Sequence, residues 1–247
     1  MELQGKRALI TGGGTGIGLA CARALKASGA DVVITGRRRD VLDTAASEHG
    51  FTALALDVTN ESSVVEGFDA AGQIDILIAN AGIAQGQNIL RSDTAFWRKI
   101  MATNLDGAYI TIREALRRMP VDQWGRVIAI SSIAGVRGLK GAHAYTASKH
   151  GLVGLIRGLA ADFTGTGTTF NAICPGYVDT PIITENIEHL TSRMKIDEPA
   201  ALKIMTDQNA HGRLIAPEEI AEAVIWLCGR GSGSVTGTAI EISGGSG

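Results

Sequence analysis

Tyr145 and Lys149 stand four residues apart, a spacing that sets a phenol and an ammonium on one face of a helix. A free phenol titrates near pH ~10, so an adjacent cation favours the phenolate and brings proton transfer closer to neutrality. Ser131 and Ser132 close an apolar run of strand length. From there the Ser132 hydroxyl could orient a reacting oxygen. A serine and a Tyr-x-x-x-Lys pair are weak evidence alone, and their weight depends on the neighbouring motifs.

Thr11 to Gly18 read TGGGTGIG, directly after an apolar run and at the opening of an amphipathic one. Glycine lets the backbone turn tightly and approach a pyrophosphate, whose charge meets the unpaired N–H groups of a helix start. The string is not the plain G-x-G-x-x-G fingerprint, and a purely structural turn is the competing reading. In a dinucleotide-binding unit a carboxylate about 20 residues onward holds the ribose diol. Here that place falls near Gly36, followed by Arg37, Arg38 and Arg39. Guanidinium groups without a carboxylate suit a 2'-phosphate, favouring NADP over NAD. The plainer alternative is a solvated basic start to the next helix.

Asp57-Val58 follows a third apolar run, where the carboxylate has two uses: accepting an adenine amino group or closing a local Asx turn. Asn80-Ala81-Gly82 follows a fourth, with small residues that leave room for a cofactor and an Asn80 side chain able to tie neighbouring turns.

These residues need a frame. Strand-length runs at Arg7–Thr11, Asp31–Thr35, Thr52–Leu56, Ile74–Ala79, Gly125–Ser131 and Thr168–Ile173 alternate with helix-like segments, the rhythm of an α/β fold. The runs are continuous rather than alternating, as parallel strands are when helices cover both faces. Helical segments are expected at Ile17–Ser28, Asp40–Glu48, Ser62–Ala70 and Ala144–Phe163, with a broken or bent helix in Thr94–Met119. Pro217-Glu218-Glu219 marks another helix start, and Ala239–Ile242 a terminal strand. The segment 180–213 interrupts the rhythm at a strand's carboxyl edge, the position of a lid over a cleft; an ordinary surface excursion is the alternative.

Of the 247 residues 45% are apolar, enough for one large core in a single domain. Twenty-three basic against 25 acidic residues provide no global field for nucleic acid or an anionic membrane. The 32 glycines have no three-residue period and prolines number only 5, against collagen-like or Pro-rich disorder. Cys21, Cys174 and Cys228 are isolated, the histidines show no ligand spacing, and no metal is expected. With neither a signal-peptide core nor a long apolar span, the expectation is a cytoplasmic protein. Trp97, Trp124 and Trp226 are expected in core or subunit packing.

TGGGTGIG, Asn80-Ala81-Gly82, Asn104, Ser132, Tyr145-x-x-x-Lys149 and Pro175-Gly176 together resemble the short-chain dehydrogenase/reductase superfamily in its single-domain form, over essentially the whole chain. The resemblance implies a Rossmann-type three-layer sandwich, a seven-stranded parallel sheet with helices on both faces, and a homotetramer. It implies Tyr145 as acid/base, Ser132 on the substrate oxygen, Lys149 on the nicotinamide ribose and lowering the tyrosine pKa, and Asn104 supporting a proton relay through a helix distortion. Thr11, Gly12, Gly14, Thr15, Gly16 and Ile17 would hold the pyrophosphate end. Asp57 and Val58 would meet adenine, Asn80, Ala81 and Gly82 would frame the cofactor, and Pro175, Gly176, Val178 and Thr180 would stand by the nicotinamide.

The implied activity is NADP-dependent reduction of a ketone to a secondary alcohol, with a 3-oxoacyl thioester, carrier- or CoA-bound, as the favoured small-molecule substrate. Alternatives are NAD-dependent oxidation of a 3-hydroxyacid, polyol, sugar or steroid and, in another class, a non-catalytic cofactor-sensing or assembly protein. Lys140 and His143 are candidates for the substrate entrance and His150 for packing beside the catalytic helix; Arg193 and Lys195 could meet a carrier phosphate or substrate carboxylate, with solvated surface charge as the favoured reading.

Overall fold

Along β1 (Arg7–Thr11), Ala8 and Ile10 enter one hydrophobic core while Leu9 enters another. The same division runs through β2 (Asp31–Gly36), β4 (Ile76–Ala79) and β5 (Gly125–Ile130): Ile34, Ile78 and Ile128 face one way, Val33, Leu77 and Val127 the other. Strands that must leave water on both faces read as unbroken apolar runs. With β3 (Thr52–Ala55), β6 (Thr168–Pro175) and β7 (Ala239–Ile242) they form one sheet of order β3-β2-β1-β4-β5-β6-β7. Every pairing is parallel, so the seven-stranded sandwich is as expected. The computed structural model describes residues 2–245, with the side chains of Glu185, His189 and Arg193 outside the described set; the expectation for Arg193 therefore lies outside the described residues.

α1 (Gly16–Ala27), α2 (Arg39–His49) and α9 (Pro217–Cys228) cover the first core. α3 (Glu61–Ala71), α5 (Gly107–Leu116) and α6 (His143–Asp162) cover the second. The chain leaves β1 toward β2 and β3, then returns to place β4 on β1's other side. Where successive connections diverge, their carboxyl-end turns separate and open a crevice.

The expected break within Thr94–Met119 is a π turn at Ala102–Asp106 between α4 (Thr94–Met101) and α5. There the Gly107 N–H reaches back five residues to the Ala102 carbonyl. The segment 180–213 is more regular than its composition suggests. It folds as α7 (Pro181–Met194) and α8 (Glu198–Thr206), each with proline in its first turn, and the Asp197 carboxylate accepts the Ala200 N–H at 3.0 Å. Lys195, at φ 54°, turns the chain between them. α9 starts at Pro217 as read, and the Glu219 carboxylate accepts the Ala216 N–H at 2.8 Å. Among the described residues no helix is long and apolar enough to cross a membrane.

Candidate active site

A cleft of about 490 Å³ lies at the carboxyl edge of the sheet. It brings together Gly12, Gly14, Thr15, Gly16, Ile17, Arg37, Arg38, Asp57, Val58, Asn80, Ala81, Gly82 and Thr180, most of the residues expected around a cofactor. Thr11 is buried behind the wall. Its Oγ1 accepts the backbone N–H groups of Asn80 and Ala81 at 3.0 and 3.1 Å, while Asn80 Nδ2 donates to the Thr11 and Gly12 carbonyls at 2.9 and 3.2 Å. Asn80 thus ties the first and fourth turns, as its position suggested.

The glycine turn is shaped by what it excludes. Gly12 and Gly16 have φ of 65° and 53°, a region L-residues avoid, and a Cβ on Gly18 would overlap the Gly12 carbonyl. Thr15, the N-cap of α1, makes no side-chain cap, which leaves its hydroxyl uncommitted at the positive helix end. Such a cradle fits a dinucleotide's pyrophosphate.

At the far end Arg39 pairs with Asp43 at 2.8 Å, one turn along its own helix. Arg37 and Arg38 line the cleft instead. Asp57 Oδ1 accepts the Thr59 N–H and hydroxyl at 2.9 and 2.8 Å, an Asx turn on the cleft wall. Burial pushes this carboxyl up, but the Thr59 bonds and the charge of Arg37 outweigh it and hold the pKa below its ordinary value.

Gly82 joins the cleft to the reactive residues: a Cβ there would stand 3.3 Å from Asn104 Oδ1 and 3.6 Å from Lys149 Nζ. Asn104, in the π turn, is 1% exposed. Its Oδ1 accepts the Ile83 N–H at 2.9 Å, and its Nδ2 donates to the Ile83 carbonyl at 3.0 Å and Ser148 Oγ at 3.1 Å. Ser148 in turn donates to the Tyr145 carbonyl at 2.8 Å. Ser132 Oγ accepts the Ala134 N–H at 3.1 Å, leaving its own proton for another oxygen. Lys149 is buried and donates to the Ile130 carbonyl at 2.8 Å.

The electrostatics reverse one expectation. Burial pushes the Tyr145 phenol above its ordinary value, with the Ser132 hydrogen bond opposing. Lys149 is not among the groups that lower it: its ammonium lies 5.8 Å from the Tyr145 ring centre, and burial draws the lysine's own pKa down to about 8. A protonated phenol at neutral pH is prepared to donate.

Pro175 and Val178 are buried and, like Ser132, Tyr145 and Lys149, do not line the cleft; Val178 bridges to Ile215. Gly176 makes room for a neighbouring asparagine, since a Cβ there would overlap Asn209 Oδ1. His150 is exposed on α6, against the expectation of packing, with Nδ1 3.0 Å from the Thr146 carbonyl. His143 packs toward Phe96, ring centres 6.3 Å apart. Trp124 lies 4.5 Å below both Lys6 and Arg126, whereas Trp97 and Trp226 are exposed. Sequence reasoning missed Thr103, which lines the cleft, Ser148, which joins Asn104 to the Tyr145 carbonyl, and Asn209, which clasps the Tyr177 backbone. The helix break foreshadowed Thr103; the other two act through partners that no local pattern reveals.

The family model described as enoyl-(acyl carrier protein) reductase matches residues 12–246. The 3-oxoacyl-[acyl-carrier-protein] reductase FabG of Aquifex aeolicus (strain VF5) is 32% identical, covering 99% of this chain and 98% of that protein. The D-beta-hydroxybutyrate dehydrogenase of Rhizobium meliloti (strain 1021) is 34% identical over 97% and 98%. A single-residue variant of the actinorhodin polyketide ketoreductase, solved with NADPH, superposes with a TM-score of 0.89 at 32% identity, covering 97% of this chain and 96% of that one. Sheet order, reactive cluster and these whole-length likenesses agree: the chain belongs to the short-chain dehydrogenase/reductase family of NAD(P)-dependent oxidoreductases.

Proposed function

We propose that this protein reduces a ketone to a secondary alcohol with NADPH, and that the ketone is a 3-oxoacyl thioester. The observation that carries the reading is Lys149 Nζ, 3.6 Å from where a Cβ on Gly82 would sit, next to a cleft that Gly82, Arg37 and Arg38 line, with Tyr145 one turn earlier on the same helix as Lys149. A bound reduced nicotinamide supplies the hydride. Ser132 holds the carbonyl oxygen, and Tyr145, kept protonated by burial, delivers the proton to it. Lys149 keeps a positive charge beside the developing alkoxide and binds the ribose, and Asn104 holds the π turn that supports proton resupply. Gly12, Gly16 and Ile17 bind the pyrophosphate.

The thioester assignment draws on the acyl-carrier reductase and polyketide ketoreductase among the relatives. A 3-hydroxyacid is the second reading, favoured by the D-beta-hydroxybutyrate dehydrogenase among the relatives. Segment 180–213 is assigned as the lid of a single-domain, cytoplasmic, homotetrameric enzyme. The test is turnover of 3-oxoacyl thioesters, 3-oxoacids, cyclic ketones and ketosugars with NADPH and NADH. Tyr145→Phe should lower kcat roughly 10²- to 10⁴-fold with NADPH affinity intact; an undiminished kcat removes the assigned chemistry, and turnover confined to another carbonyl class replaces the substrate.

A further inference from the structure

The first turn of α6 carries Tyr145, and Ala142 ahead of it supplies no side-chain cap. An uncapped first turn has backbone donors to spare and is easily loosened. The next turn is fastened to β5: Ser131 Oγ donates to the Lys149 carbonyl at 3.2 Å, and Lys149 Nζ donates to the Ile130 carbonyl at 2.8 Å. Between Tyr145 and Lys149 stands Ser148, fully buried. Its Oγ accepts Asn104 Nδ2 at 3.1 Å and donates to the Tyr145 carbonyl at 2.8 Å, which commits its single proton. Farther along the helix Gly151 admits Leu105 of the same π turn, where a Cβ would lie 2.8 Å from Leu105 Cδ2. α6 is therefore seated on the π turn by a polar contact at Ser148 and an apolar one at Gly151. Asn104 also holds both polar groups of the Ile83 backbone, and Ile83 lines the cleft. An unbroken line of hydrogen bonds thus runs from the cleft wall through Asn104 and Ser148 to the backbone of Tyr145.

We propose that Ser148 is a positioning residue for proton delivery: it fastens the first turn of α6 to the π turn and so fixes the backbone from which the Tyr145 phenol reaches the reacting oxygen. The inference rests on the ketone-reductase reading for the role of Tyr145. Ser148 does not line the cleft, so its effect passes through the groups it bonds. Without its hydroxyl, an Asn104 Nδ2 hydrogen has no acceptor and the Tyr145 carbonyl has one bond fewer. Asn104 is 1% exposed, and solvent does not make up the loss. The two Asn104 bonds to Ile83 and the two ties of Lys149 to β5 do not pass through Ser148. The loosening therefore falls on Tyr145 ahead of the cleft wall and the lysine. A shift of about 1 Å in a reacting group is enough to cost roughly 10²-fold in rate.

The experiment compares the full-length natural enzyme with Ser148→Ala, using NADPH and a carbonyl that the natural enzyme turns over. In Ser148→Ala, kcat falls roughly 10- to 100-fold, while NADPH affinity and the carbonyl KM stay within about three-fold, the pattern of an interaction realised in the transition state. Proton delivery becomes the slower event, so the solvent deuterium isotope effect on kcat rises. Amide exchange accelerates in the peptide spanning 142–148 and is unchanged in β5. A kcat within two-fold of the natural value overturns the inference, as does an isotope effect that stays put while kcat falls. Parallel loss of NADPH binding and turnover, or a chain that no longer folds, marks a merely structural serine and overturns it too. If the natural enzyme turns over no carbonyl, the ketone-reductase reading fails; exchange of 142–148 still decides the tie, and equal exchange in the two proteins overturns it.

Discussion

Lys149 Nζ donates to the Ile130 carbonyl at 2.8 Å and lies 5.8 Å from the centre of the Tyr145 ring. The lysine is thus anchored to the end of β5 rather than to the phenol, and burial brings its pKa down to about 8 while pushing that of Tyr145 up. Carbonyl reduction should therefore decline as pH rises through about 8, where Lys149 loses its charge while Tyr145 keeps its proton. Stability should move the other way. Between about 8 and 10.5 the unfolded chain holds more of the lysine proton than the folded one, so this group's contribution to stability rises with pH. A pH–rate profile paired with thermal midpoints checks both; activity and midpoint falling together above pH ~8 would contradict this.

Arg37 and Arg38 face the cleft while Arg39 is held by Asp43. Replacing Arg37 and Arg38 by alanine should weaken NADPH binding roughly ten- to hundred-fold, the worth of a charge-assisted hydrogen bond, and leave NADH nearly unaffected. Added salt should narrow the natural enzyme's preference between the two nucleotides. Fluorescence titration at two ionic strengths measures it.

Gly18→Ala places a methyl against the Gly12 carbonyl and close to Asn80 Nδ2. Backbone cannot yield there as a flexible side chain would, so a loss of about 1–3 kcal/mol is expected, together with weaker nucleotide binding. Denaturant unfolding and nucleotide titration on the same variant separate the two effects.

Glu219 caps the Ala216 N–H and takes two bonds from Arg213, at 2.6 and 3.0 Å, whose guanidinium is the main reason its pKa falls to about 2. Its stabilising contribution is present above the ordinary carboxylate pKa of 4.5 and disappears as pH falls through about 2. Glu219→Gln should shrink the fall in thermal midpoint between pH ~5 and pH ~2.

The sheet was legible because strands such as Ile76–Ala79 are apolar on both faces, and the helix break because Thr94–Met119 is too long for one straight element with a single apolar stripe. Tyr145, Lys149, Ser132 and the glycine turn declared themselves through spacing. The helices of 181–206 were hidden by their charged residues, although Thr180-Pro181 and Asp197 ahead of Pro199 are helix-start patterns that a closer reading reaches. Asn209 had no local sign: its meaning comes from Tyr177, 32 residues earlier. The tyrosine's electrostatics were misjudged for a related reason. Four residues of spacing state that two groups share a face, but how deeply each is buried and which carbonyl the ammonium chooses are settled by the rest of the fold.

α1 begins at the glycine turn and lays Cys21 and Leu25 in the same core as Ile220, Val224 and Leu227 of α9. The loop that grips phosphate is consequently mounted on a shaft whose bearing is made by the last helix of the chain. Hollowing that bearing, on the opposite side of the sheet from α6, would tilt the shaft and loosen the grip without altering any residue that a nucleotide touches.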